Sequence, residues 1–88
     1  MAERTVQMAS EHGLHARPAS LFTKAVAEAG LPVQISKGDK TANAASILGV
    51  ISLGIEHGDT VTLVSDADDA DALLDRLAAL LSTDLDAA

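Results

Sequence analysis

His15 stands two residues before Arg17 and three before Pro18, within the run G-L-H-A-R-P-A-S that spans Gly13 to Ser20. Proline fits the first turn of a helix, where its missing N–H leaves nothing unpaired, so Pro18 puts His15 at a helix start. That place is a natural anion site: the first backbone N–H groups have no partner within the helix, and the aligned peptide dipoles leave partial positive charge there. A neutral imidazole, whose ordinary pKa is near 6.5, can attack phosphorus at cellular pH. The positive helix end disfavours the imidazolium by about 0.3–1 kcal/mol and stabilises the phosphoryl charge after transfer, with Arg17 adding a guanidinium fork. A total on the order of 1–3 kcal/mol leaves the group bound but transferable.

Other chemistries are less well supplied. A lone loop histidine is ordinarily a solvated side chain, and only its context raises it above that. His12 and His15 form H-x-x-H and His57 is a third imidazole, but no carboxylate stands at a matching ligand spacing, so no metal site is expected. Nothing in the spacing favours a triad of Ser20, His15 and an aspartate, and a chain of 88 residues offers little pocket to enclose a substrate.

The 88 residues predict one domain over 1–88 that buries about 60–65% of its unfolded surface. With 48% apolar residues, mostly Ala, Leu, Ile and Val, the chain reads as globular. A net charge of −7 and a single aromatic residue argue against nucleic acid as a partner, because phosphate backbones are bound through Lys and Arg and bases through aromatic stacking. Up to Gly54 five basic residues meet four acidic ones, whereas beyond it nine acidic residues meet only Arg76. Nearly neutral ground around His15 can therefore face an acidic partner, and the acidic end is solvated. No stretch is long enough for membrane insertion, the start M-A-E-R-T-V has no secretory pattern and cysteine is absent, so a cytoplasmic protein is expected.

The elements that must hold His15 are read from periodicity. Arg4 to Ala9 alternates as a strand with Val6 and Met8 on one face, and Ser10 to Leu14 is a loop. Ala19, Phe22, Val26 and Ala29 recur at helical spacing until Gly30 stops the helix. Val33 and Ile35 belong to a second strand, Gly38-Asp39 is a turn, and a short strand returns through Lys40 to Ala42. The run from Ile47 to Ile55 is ambiguous: its β-branched content leans toward strand, while Ser46 as N-cap and Gly54 as stop fit a short helix. Thr60 to Val64 is a strand. Ala70, Leu73, Leu74, Leu77, Leu80 and Leu81 form the stripe of a last helix, whose start carries Asp66, Asp68, Asp69 and Asp71. Two amphipathic helices laid on one face of an antiparallel sheet of about four strands give an open-faced sandwich of the α+β class.

The run G-L-H-A-R-P-A-S, followed about 25 residues later by N-A-A-S-I-L-G-V-I-S-L-G-I, closely resembles the HPr family, the histidine phosphocarriers of the bacterial phosphoenolpyruvate-dependent sugar phosphotransferase system. The likeness covers essentially the whole chain. It implies a β-α-β-β-α-β-α open-faced sandwich, with helices on one face of a four-stranded antiparallel sheet and a short helix over Ser46 to Leu53. It also implies that His15 accepts phosphate on Nδ1 from phosphorylated Enzyme I and donates it to EIIA domains of sugar permeases. By the same likeness Arg17 contacts the phosphoryl group, and Ile47, Leu48 and Ile51 form an exposed apolar patch that packs against both partners. Ser20 and Lys24 extend that face along the first helix.

Ser46 matches a serine that a regulatory kinase phosphorylates in some members, yet Ala45 stands where those members carry lysine, and the plain N-cap role is favoured. Gly49 and Ala27 stand where some members carry lysine, so the basic rim is thinner here. No cofactor is implied, the protein is expected to be a monomer, and whether it counts as an enzyme is a matter of convention. One alternative keeps the chemistry but serves a nitrogen-related or dihydroxyacetone-kinase relay. Another is a regulatory binding module that uses the Ile47 patch with His15 idle.

Overall fold

The computed structural model describes residues 2–9, 13, 14 and 16–83, in the order β1 (Ala2–Gln7), α1 (Ala16–Ala29), β2 (Gln34–Lys37), β3 (Lys40–Asn43), α2 (Ile47–Ser52), β4 (Thr60–Ser65) and α3 (Ala70–Leu81). The four strands form one antiparallel sheet in the order β1-β4-β2-β3. Register places Val6 opposite Val61, and Ile35 opposite both Leu63 and Ala42. Because strand side chains alternate, these residues share the inner face, where Val61, Leu63 and Ile35 are fully buried. The opposite face carries hydroxyl pairs, Thr5 with Thr62 at 3.4 Å and Ser36 with Thr41 at 3.2 Å. The expected open-faced sandwich is the observed architecture.

Helices cover the inner face: α3 packs on β1 and β4, α1 packs on α3, and α2 packs on α1 and β3. Phe22 and Val26 from α1, Val50 from α2, and Leu74, Leu77 and Leu81 from α3 meet the sheet in a single core. Burying a side chain of this size contributes about 1.5–3 kcal/mol, so the stripes and not intrinsic propensity decide where the helices lie. At the sheet edge Arg4 Nε donates to Asp75 Oδ1 at 2.6 Å, and a second guanidinium nitrogen reaches Asp71 at 3.3 Å, tying β1 to α3.

The strand-leaning reading of Ile47 to Ile55 is corrected: residues 47–52 are helical. Ser46 caps them, its Oγ accepting the Gly49 N–H at 3.2 Å, and Gly54 follows at φ +64°. Two smaller differences accompany it. β1 ends at Gln7, with buried Met8 continuing its inner face just beyond the ladder. Ala29 is exposed, as are Ala27 and Glu28, and Thr23 and Ala25 take buried places on that helix. The acidic cluster stands at the start of α3 as expected, with Asp69 at the N-cap and Asp71 in the first turn.

Candidate functional site

His15 and His12 lie outside the described residues, so the site is built from what flanks them. Leu14 is buried, and its N–H donates to the Ile55 carbonyl at 2.9 Å. Gly13 lies at φ +74°, and a Cβ built there would overlap the Ile55 carbonyl oxygen and lie 2.8 Å from Glu56 Cα. Only glycine allows both the left-handed turn and this approach. The same 54–59 turn holds the other end of the loop: the Met8 N–H donates to the Asp59 carbonyl at 2.8 Å, and the Gly58 N–H donates to the Met8 carbonyl at 2.9 Å. Residue 15 thus sits in sequence between an anchored leucine and Ala16, the first residue of α1.

The first turn of α1 contains no acidic residue, so its positive end is uncompensated by its own side chains. Pro18 and Ala19 are buried and fix that turn to the core, while Arg17 is exposed. Among the described residues no carboxylate pairs with the Arg17 guanidinium. A charge pair lies at the 54–59 turn that anchors Leu14. Lys37 Nζ lies 2.8 Å from Asp59 Oδ2, and that oxygen also accepts the Glu56 N–H at 2.8 Å. The Lys37 hydrogen bond first, and the Glu56 N–H second, hold the Asp59 carboxyl below its ordinary pKa.

The predicted docking residues lie on two helices that pack together. Ile47 is 39% exposed, Leu48 79% and Ile51 41%, all on α2, and Ser20 and Lys24 are exposed on α1. Leu21, 43% exposed on α1, completes the set of exposed large apolar side chains among the described residues, and sequence reasoning missed it. Its signal was present in the sequence: Leu21 falls off the Phe22–Val26 stripe. Ser46 is exposed at the start of α2. Two surface depressions, one lined by Pro32, Gln34 and Val64 and the other by Gln7, Met8 and His57, involve neither Arg17 nor α2. Among the described residues no helix is long and apolar enough to cross a membrane.

Comparison with known proteins gives the same sequence stretches a family context. Residues 2–83 match the family model described as PTS HPr component phosphorylation site. The phosphocarrier protein HPr of Streptomyces coelicolor is 48% identical over 87 residues, covering 98% of this chain and 94% of that relative. The phosphocarrier protein NPr of Shewanella violacea is 40% identical, with 98% and 94% covered. The crystal structure of a phosphocarrier protein HPr from Bacillus anthracis superimposes with a TM-score of 0.86 at 38% identity, covering 91% of this chain and 95% of that one.

Proposed function

Because the chain belongs to the HPr phosphocarrier family, we propose that it carries a phosphoryl group on His15, accepting it from phosphorylated Enzyme I and passing it to EIIA domains of sugar permeases. In this reading the neutral His15 ring keeps its proton on Nε2 and attacks phosphorus through Nδ1. The Nδ1–P bond forms as the bond to Enzyme I breaks, and the reverse sequence hands the group to EIIA. The unpaired N–H groups at the start of α1 and the Arg17 guanidinium stabilise the phosphoryl oxygens. Leu21, Ile47, Leu48 and Ile51 supply the apolar contact with both partners, rimmed by Ser20 and Lys24. Ser46 serves as the cap of α2. The protein works in the cytoplasm as a monomer.

The observation that carries the reading is the family match over residues 2–83, which includes the G-L-H-A-R-P run at the start of a helix with no acidic residue in its first turn. Incubation with phosphoenolpyruvate and Enzyme I tests it. The expected product is an acid-labile, base-stable phosphate that is lost in His15→Ala. Arg17→Ala is expected to slow transfer about 10- to 100-fold, the kinetic equivalent of one charge-assisted contact, with unfolding unchanged. Absence of labelling leaves only the binding-module alternative, and an unchanged rate in Arg17→Ala removes the guanidinium from the mechanism. A nitrogen-related circuit would use the same chemistry, so onward transfer to a sugar-permease EIIA, set against a nitrogen-branch EIIA, identifies the circuit served.

A further inference from the structure

We infer that Lys37 and Asp59 are positioning residues for phosphoryl transfer: together they fix the turn from which both described ends of the loop before His15 are hung. The inference rests on the phosphocarrier reading of His15. Lys37 ends β2 and Asp59 immediately precedes β4, and neither side chain serves the other alone. Lys37 Nζ, 2.8 Å from Asp59 Oδ2, also donates to the Gly54 carbonyl at 2.8 Å. Asp59 Oδ2 also accepts the Glu56 N–H at 2.8 Å, while its own N–H donates to the Glu56 carbonyl at 3.0 Å. Gly54, Glu56 and Asp59 are thereby held against one another across the turn.

Ile55 lies between two of those held residues and presents its carbonyl to the Leu14 N–H, with Gly13 seated against it. At the other end of the turn the Asp59 carbonyl and the Gly58 N–H grip Met8. The turn contains two glycines at positive φ, Gly54 at +64° and Gly58 at +86°, which widen the conformations open to it once the side-chain ties are cut. Both charged side chains are about one-third exposed, at 32% and 30%, where an ion pair adds little to global stability. Their leverage is local. A shift of Ile55 passes through one hydrogen bond and one close contact to Leu14, the residue next to His15, and in-line transfer is sensitive to displacements of about 1 Å.

The test uses full-length Lys37→Met and Asp59→Asn, with Lys37→Arg as the rescue. Phosphorylation by Enzyme I is measured across carrier concentrations, and amide exchange is measured at Met8, Leu14, Leu74 and Leu77. In both variants kcat is expected to fall about 5- to 20-fold with KM changed less than about 2-fold, and Lys37→Arg recovers most of the rate. Exchange at Leu14 and Met8 rises by a similar factor, whereas Leu74 and Leu77 in α3 keep their wild-type protection. Wild-type kcat in both variants overturns the inference, as does a loss of protection in α3 that matches the loss at Leu14. A wild-type chain that takes no phosphate overturns the phosphocarrier reading and the transfer role with it. Unchanged Leu14 exchange overturns the positioning role whatever the phosphate result.

Discussion

Replacing Gly13 with alanine isolates the contact that seats the loop on its turn. The new residue must hold φ near +74°, which costs an L-amino acid about 1–2 kcal/mol, and its Cβ must also displace the Ile55 carbonyl or the Glu56 backbone. Relieving that overlap stretches the Leu14 N–H to Ile55 hydrogen bond, worth about 0.5–1.5 kcal/mol. The expected loss is about 1.5–3.5 kcal/mol, equivalent to a fall of roughly 6–28 °C in Tm for a domain of this size. Gly30→Ala supplies the comparison: its φ of +71° is nearly the same, yet a Cβ there meets nothing within 4 Å, so it reports the backbone cost alone. Urea and thermal unfolding followed by far-UV circular dichroism should separate the two variants by about 0.5–1.5 kcal/mol. Equal losses, within about 0.5 kcal/mol, would refute the seating argument and leave Gly13 as an ordinary turn glycine.

Three further outcomes are expected. Ser46→Ala removes the cap from the Gly49 N–H and should cost about 0.5–2 kcal/mol in the same unfolding assays. Leu48→Asp, at a side chain 79% exposed, should leave Tm within experimental scatter while weakening the Kd for Enzyme I about 5- to 30-fold by calorimetry. The folded Asp59 carboxyl lies below its ordinary pKa of 3.8, so its contribution to stability is complete above that value and is lost as pH falls through the folded one. Urea midpoints measured from about pH 5 to about pH 2 should therefore fall less steeply in Asp59→Asn than in the wild type.

The two long helices were legible because their buried faces keep a 3.6 period, and α1 is bounded as well by Pro18 in its first turn and Gly30 just past its end. α2 was not, for a physical reason: Ile47, Leu48 and Ile51 stay exposed while Val50 is buried, so apolar residues surround the helix and erase the period that would mark it. Its β-branched residues then mimic a strand. Resemblance to the family supplied the helix that periodicity withheld. At the candidate site, the helix start and Arg17 could be read from neighbouring residues. The seating of Gly13 on Ile55 and the Lys37–Asp59 tie could not, because each joins segments about 20 to 40 positions apart that only the sheet register brings together. Leu21 was legible only as a departure from the Phe22–Val26 stripe, the period of which marks the buried side of its helix and not the exposed one.

The placement of β1 has a consequence for how such a chain is born. Among the described residues its neighbour in the sheet is β4, with Val6 facing Val61, so β1 has no strand to pair with until β4 is made. At roughly 5–20 residues per second, a nascent chain waits on the order of 3–11 s between making the two. Met8 and Leu14 wait as well, since the turn they grip comes just ahead of β4. A chain arrested before β4 emerges would thus carry the histidine motif intact in sequence and still lack the turn on which Gly13 and Leu14 are seated.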